Sequence, residues 1–504
     1  MTKDEKFGLA VLLLISLLLS IYLFFRTYVI SLDGAFQYIP IAKDFASGNF
    51  RRAFSHNQQP LYPLIISFAS RWVSDFEWMG KLVSSFFGIL IIFPVYFLGK
   101  RIFDEKIAFL STLFLTIHPY LRRYSADVLK ESTYLFFFAT AIWFAWRTIQ
   151  NEKRYPFLFI PLFSVLTYLV RPDGIEILFV VFFYVLFIKK FDVSGSKRTV
   201  VLLLLVSSFI LLLPYLFYLR EVRGEWALSK VKSIGGMLGL EAIRDGIPLT
   251  QKIFYSLKRL NSEIFGRFHP IYIILLMIGL LRSIFSHLKA GEGFLLSLGW
   301  FHYVILFLMV LNTTEWGADK TVQSDHLSGR HVLPLLLVSI YWVGEGFMII
   351  YRWIYKKLEH VHLLIRFGVR RKSMMIMALL LVLMLAIVLP KTLKPQRYER
   401  LSEKWAGLWI RSQSGRGITI FTSIPQVAFY ADGSPEYVDL RKSTVDSIKA
   451  SMIEKKAFYL VIREKDVSDY PVEAKSIEKD FAEIAQFEQK RMEKVIVYKL
   501  IRTQ

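Results

Sequence analysis

Apolar runs of about 20 residues recur along the chain, separated by short polar stretches rich in Lys and Arg. A helix of that length crosses a bilayer core of about 30 Å. Lipid offers no partner to an unpaired backbone group, so such runs must be helical. The pattern predicts spans at roughly 7–27, 80–99, 107–119, 131–147, 156–170, 174–189, 199–218, 270–287, 293–311, 332–351 and 373–390, eleven in all. The stretch 61–70, LYPLIISFAS, is about half a span and predicts an interfacial or re-entrant helix. The first run, Phe7 to Phe25, is long for a signal-peptide core and lacks a clear small-residue cleavage site, so it reads as an uncleaved span.

The loops alternate in kind. One set carries Lys100, Arg101 and Lys106; Arg147, Lys153 and Arg154; Lys189, Lys190, Lys197 and Arg198; and a run from Arg352 to Lys372. The basic bias predicts that this side, with the N-terminus, is cytoplasmic. The other set, 28–79, 120–130, 171–173, 219–269 and 312–331, then lies outside, and an odd span count puts the C-terminus there too. In the first outer loop, Phe36, Ile39 and Phe45 with Tyr38, Ile41 and Ala42 mark a broad apolar helical face over 35–50. Ser31 or Asp33 can cap its start and Gly48 its end, which predicts a helix on the outer membrane surface.

Residues 1–390 therefore predict a transmembrane domain with long outer loops at 28–79, 219–269 and 312–331. From 391 to 504 charge returns and short apolar runs appear: 417–423, 427–431, 436–440, 457–463 and 494–500 read as strands, 396–411 and 442–454 as helices. This predicts a small extracytoplasmic α/β domain.

Composition agrees: 54% of the 504 residues are hydrophobic and 16% aromatic. A net charge of +22 on a soluble chain would suggest nucleic acid. Here most of it sits in loops between spans, so no nucleic-acid partner is expected. There is no cysteine, which excludes disulfides and thiolate metal sites. The nine His have no metal-ligand spacing.

Ionisable residues beside a membrane call for a functional reading. On the outer side these are Asp33 in LDGAFQY; Arg171 and Asp173 in RPDG; Asp127, Lys130 and Glu131 in DVLKE; Arg330 and His331 in SGRHVLPLL; and His56, Gln58 and Gln59 before PLYPL, which holds Tyr62. Each has a plainer reading: Asp33 as a helix cap, Arg171 and Arg330 as headgroup anchors, Lys130 and Glu131 as the wet end of a span. Together they put an acid, three cations and several amides on one face. A phosphate at the end of a lipid tail needs such cations as its charge builds, and an incoming hydroxyl needs a carboxylate base.

This pattern resembles the GT-C membrane glycosyltransferases, specifically the protein O-mannosyltransferase and aminoarabinose-transferase group with its RgtA/B/C/D-like relatives. LDGAFQY soon after the first span, QPLYPL about 25 residues later, RPDG between spans and RHVLPLL opening a late span carry the likeness, over about 1–350. The resemblance implies a polytopic α-helical GT-C fold and an inverting transfer of sugar from a polyprenyl-phosphate donor to a hydroxyl acceptor. It implies Asp33 as catalytic base. It places Arg171, Arg330, Lys130, Asp173 and His331 near the donor phosphate or sugar, and Tyr38, His56, Gln59, Tyr62, Asp127 and Glu131 around the acceptor or loop site. The family often has a second acid where Gly34 stands, and an acid or histidine where Gln59 stands. A divalent metal ion is therefore only weakly supported. The rival readings are a flippase, which would want charges inside the spans and related halves, and a non-catalytic scaffold. Span centres nearly free of charge, no repeat, and two long ionisable outer loops favour the enzyme.

Overall fold

The computed structural model describes residues 2–150, 156–187, 197–224, 226, 247–317, 321–358, 369–440, 443–468, 476–477, 479–489 and 493–501, with the side chains at 156–158, 197–200, 223, 369 and 370 left out. Much of the predicted outer loop 219–269 lies outside the described residues.

Each of the eleven apolar runs falls on helix. Along the chain these are α1 (Lys3–Arg26), α2 (Ile39–Ala46), α3 (Phe50–Ser55), α4 (Leu61–Ala69), α5 (Phe76–Leu90), α6 (Ile92–Ile102), α7 (Glu105–Ile117), α8 (Pro119–Ser125), α9 (Glu131–Ile149), α10 (Pro156–Val170), α11 (Glu176–Phe187) and α12 (Lys197–Arg223). The helices Leu249–Phe268, Pro270–Phe285, Ala290–Thr313, Leu333–Lys357 and Val369–Thr392 follow. Among the described residues six helices are long and apolar enough to cross a membrane by themselves. A seventh counts if Leu249–Phe268 and Pro270–Phe285, bent by 104°, form one broken span. The 13-residue α7 is flanked by other helices and buried along most of its length.

The bundle core is continuous from Leu9 and Leu12 of α1 to Val388 of the last apolar helix. Where Pro270–Phe285 crosses Leu333–Lys357, both contact points are glycines. A Cβ on Gly279 would run into the Trp342 carbonyl, and one on Gly346 into the Leu275 carbonyl. Small residues at such crossings let two backbones approach without lipid between them.

The first outer loop differs from its expected form. A π-helical turn over Gly34–Tyr38 runs into α2, and Gly48 at φ 77° ends the segment. Ser31 caps it: its Oγ accepts from the Gly34 N–H at 3.1 Å, while Asp33 makes no cap bond. The apolar face of α2 is buried against α3, α4 and α5 rather than laid on lipid, with Ile41 and Phe45 packed on Ala53 and Phe54.

After a short antiparallel pair, β1 (Glu315–Trp316) and β2 (Val322–Ser324), the C-terminal region forms a mixed five-stranded sheet from β3 (Thr419–Thr422), β4 (Ser434–Tyr437), β5 (Tyr459–Arg463), β6 (Phe481–Phe487) and β7 (Val495–Leu500), in the order β4-β3-β5-β7-β6. β3 pairs in parallel with β4 and β5; β7 pairs antiparallel with β5 and β6. Alternate residues serve two cores. Ile420, Val461, Val495 and Val497 pack with Ala406, Ile410 and Val427, while Phe421, Leu460, Ile496 and Tyr498 pack with Ile448 and Met452. Residues 427–431, read as a strand from their apolar content, lie in the helix Pro425–Tyr430 and its C-cap, because Pro425 opens a helical turn and Ala428 and Tyr430 face the core. β6, with four polar or small residues among its seven, carried too weak an apolar signal to be read from sequence.

This region is stapled to the start of the first outer loop. The Gln396 carbonyl accepts from the Tyr28 N–H at 3.2 Å and its N–H donates to the Arg26 carbonyl at 2.9 Å. The Gln396 amide also donates to Thr27 Oγ1 and to the Arg123 carbonyl, each at 2.9 Å. Tyr430 Oη accepts from the Ile30 N–H at 2.8 Å.

Gly346→Leu forces a branched side chain into the Leu275 backbone. It is expected to destabilise the protein by about 1–3 kcal/mol, the usual cost of overpacking. Thermal unfolding in detergent measures this, with Gly266→Leu, where no atom stands within 4 Å of an added Cβ, as the silent control.

Candidate active site

Asp33 follows the stapled segment 26–31 directly. With Ser31 performing the cap, its carboxylate turns to the Arg330 guanidinium and forms an ion pair with it. Arg330 Nη1 also lies 3.6 Å from Glu131 Oε1. Glu131 opens α9 and is almost fully buried, and its Oε2 has no hydrogen-bond partner. One cation from the loop 321–332 thus bridges two carboxylates from two other loops. Gly34 cannot carry the second acid: a Cβ there would stand 2.9 Å from Ile30, Ser31 and Val128. Glu131 brings a second carboxylate to Arg330 from elsewhere in the chain.

The backbone around Arg330 is held at successive carbonyls. Arg171 Nη1 donates to the Arg330 carbonyl at 3.3 Å. His302 Nε2, facing the His331 carbonyl at 2.9 Å, must be the donor there, and its Nδ1 lies 2.8 Å from Glu176 Oε2. Both ring nitrogens therefore face acceptors, so the Glu176–His302 pair holds one proton more than a neutral imidazole beside a carboxylate. Each side chain is 1% exposed. Both residues lie in apolar runs read as nearly charge-free; a His and a Glu inside predicted spans were the signal that could have identified them.

Arg171 grips Asp173 with a two-point contact, Nε to Oδ1 at 3.1 Å and Nη2 to Oδ2 at 2.6 Å, and its guanidinium sits 4.4 Å from the Tyr134 ring centroid. Burial works against the Arg171 charge, but Asp173 outweighs it and keeps the guanidinium firmly protonated. Lys130 donates to Gln58 Oε1 at 2.9 Å and stands 5.7 Å from the Tyr38 ring centroid. Burial, with Arg171 and Arg330 nearby and Glu131 opposing, lowers the Lys130 ammonium to about 8. Burial likewise lowers His331 to about 3, with Arg171 adding, so its ring is neutral; its Nδ1 accepts from the Ser328 N–H at 3.1 Å. Burial raises the Tyr38 hydroxyl well above its ordinary range.

Asp33, Glu131, Lys130, Arg171, Asp173, Arg330, His331 and Tyr38 thus converge. Asp127, His56, Gln59 and Tyr62 point elsewhere. Asp127 is fully buried, accepts from the Ser31 and Val128 N–H groups, and pairs with Arg397 of the C-terminal region. His56 Nε2 lies 3.0 Å from Asp44 Oδ2. Gln59 accepts from the Tyr215 hydroxyl. Tyr62, wholly buried, contacts Ser84 Oγ at 2.8 Å. Among the described residues no group of three or more His, Asp or Glu converges as a metal site, and Arg330 already stands between the two neighbouring carboxylates. A cavity of about 650 Å³ is lined by none of these residues; it lies near the C-terminal end of α12, by Pro214, Tyr218 and Arg220.

Residues 57–218 match the family model described as dolichyl-phosphate-mannose-protein mannosyltransferase. No curated protein matches the chain by sequence. Among solved structures, apo ArnT from Cupriavidus metallidurans superposes with a TM-score of 0.63 at 12% identity, covering 98% of each chain. The same protein bound to undecaprenyl phosphate gives 0.60 at 13%, covering 97% of each. The oligosaccharyltransferase AglB from Archaeoglobus fulgidus, in complex with an inhibitory peptide and a dolichol-phosphate, gives 0.59 at 14%, covering 97% of this chain and 74% of that one. The fold of this chain is thus similar to that of ArnT and AglB over nearly its whole length, and the family-model match lies within the helical region.

Replacing His302 by Phe leaves the Glu176 carboxylate buried and unpaired. The expected loss is about 3–5 kcal/mol of stability, and adding Glu176→Leu recovers part of it. A double-mutant cycle on thermal unfolding checks this; additive losses would contradict the pairing.

Proposed function

We propose that the protein transfers a sugar from a polyprenyl-phosphate donor to a hydroxyl on a protein, lipid or glycan, on the extracytoplasmic face, with inversion at the anomeric carbon. The observation that carries this reading is the Asp33–Arg330–Glu131 bridge, a base, a phosphate-binding cation and a second acid drawn from three separate loops. The family match over 57–218 and the lipid-phosphate complexes of the two structural neighbours support the donor class.

In the resting protein Asp33 is engaged by Arg330. Donor phosphate, arriving laterally from the bilayer, competes for that guanidinium and frees the carboxylate. Glu131 keeps Arg330 anchored meanwhile. Asp33 then takes the proton of the acceptor hydroxyl as its oxygen bonds to the anomeric carbon from the face opposite the phosphate. The bond from anomeric carbon to phosphate oxygen breaks, and its electron pair leaves with polyprenyl phosphate. Arg330, Arg171 and Lys130 stabilise the charge that develops there. The loop carbonyl contacts from Arg171 and His302 fix Arg330 in place, so the cation costs little reorganisation during reaction.

Two experiments test the reading. A panel of labelled polyprenyl-phosphate sugars, incubated with purified protein and acceptor mixtures, is expected to give donor-dependent release of polyprenyl phosphate. In Asp33→Asn, turnover should fall at least about 100-fold, the lower range of general-base contributions, with donor binding retained; near-wild-type turnover would remove Asp33 from the mechanism. The second test is pH. Lys130 titrates at about 8, so its cation, and with it part of the grip on donor phosphate, is lost as pH rises above that value. The donor KM should therefore rise between about pH 7.5 and 9 in the wild type and stay flatter in Lys130→Arg, whose guanidinium does not titrate there.

A further inference from the structure

A second group of cations stands apart from Lys130 and Arg171. Tyr120 of α8 has the Arg267 guanidinium 4.8 Å and the Lys391 ammonium 4.9 Å from its ring centroid. Arg267 ends the helix Leu249–Phe268, and Lys391 closes the last apolar helix. Arg123 lies one turn beyond Tyr120 on α8, and its Nε is buried without a hydrogen-bond partner. Elements distant in sequence thus bring Arg267 and Lys391 to one aromatic ring, with Arg123 on the same short helix as that ring.

Acids do not match them. Glu263 is shared between Arg259, at 2.6 Å, and Arg267, at 3.2 Å. Asp127 is taken by Arg397, and Glu399 faces Arg123 without a direct ion pair among the described residues. Lys391 has no carboxylate partner among the described residues, and its charge is felt nearby: burial lowers His269, and Lys391 lowers it further. Like charges gathered this way repel one another, and an anion relieves the repulsion. These basic residues also sit on the face of Asp33, where the loop bias leaves few.

We propose that Arg123, Arg267 and Lys391 around Tyr120 form a second anion site that takes a phosphate group at the membrane surface. Planar guanidinium forks and a mobile ammonium together suit a tetrahedral phosphate. Lys391 stands at the end of an apolar helix and Arg267 beside the 104° bend into Pro270–Phe285, so a lipid headgroup is the expected source and free phosphate the other. It adjoins the candidate active site without sharing its residues: Gly329, next to Arg330, is packed so closely on Arg267 that a Cβ there would collide with the guanidinium. The assignment does not depend on sugar transfer, because it is read by binding alone.

The test uses the full chain in nanodiscs of phosphatidylcholine with a minor fraction of phosphatidylglycerol, followed by native mass spectrometry after release. Wild-type protein should retain phosphatidylglycerol over phosphatidylcholine, and Lys391→Glu should lower that retention at least tenfold. Lys391→Arg should preserve it, and so should Arg330→Gln, which disables the other phosphate-binding cation. Lys391 is partly exposed and touches the Tyr120 ring, so these variants are expected to fold; unchanged thermal unfolding verifies that, and Lys391→Gln serves if the charge reversal does not fold. A parallel titration with inorganic phosphate separates the sources: binding lost in Lys391→Glu, without lipid retention, assigns the site to free phosphate. Equal retention of both lipids with no Lys391-dependent phosphate binding overturns the proposal, as does loss in Arg330→Gln but not in Lys391→Glu.

Discussion

The cluster around Asp33 is organised by a single guanidinium. Arg330 sits between Asp33 and Glu131, and neither acid is near it in sequence. Two carboxylates this close in a partly dry setting would repel if no cation lay between them. A cation there without them would be expensive to bury. The bridge therefore closes only when the first outer loop, the start of α9 and the 321–332 loop all arrive together. It is a product of the whole bundle rather than of any one segment.

Two further devices bring those pieces into register. One is the staple between residues 26–31 and the C-terminal region, where Gln396, Arg397 and Tyr430 hold the backbone immediately before Asp33. Asp127 belongs to this brace: fully buried, it ties Ser31, Val128 and Arg397 into one network. The C-terminal region thus contributes to the geometry of the first loop from 368 to 400 residues away. The other device is the Glu176–His302 pair, which fixes a carbonyl of the Arg330 loop from inside the membrane helices.

The ionisable groups inside the apolar helices answer the flippase alternative differently from the sequence pattern. Glu176 and His302 are not charge-free span interiors, as first read, yet they do not line a path either. They are paired, 1% exposed, and turned toward the loop that carries Arg330. Glu345 is likewise engaged, by Arg282 and Ser283. Buried charge here fixes position, which is one of the few uses that offsets the desolvation it costs.

Hydrophobic periodicity by itself determined the helical, membrane-spanning class, because a run of apolar residues in lipid has no other way to satisfy its backbone. It also located the loops that hold Asp33, Arg171 and Arg330, since most charges lie near the ends of such runs. The β5 and β7 strands were legible for the same reason: both are apolar on both faces. What the sequence could not supply was pairing. Gly34 looked like a missing acid, and the packing of Ile30, Ser31 and Val128 around it explains the glycine, while only the fold brings Glu131 beside Arg330. Asp127 and Glu131, four residues apart, read alike as loop acids; tertiary structure sent one to Arg397 as a brace and the other to Arg330 in the site. Residue type and spacing are local properties, whereas the partner of a charged group is chosen by whichever distant element the fold lays beside it.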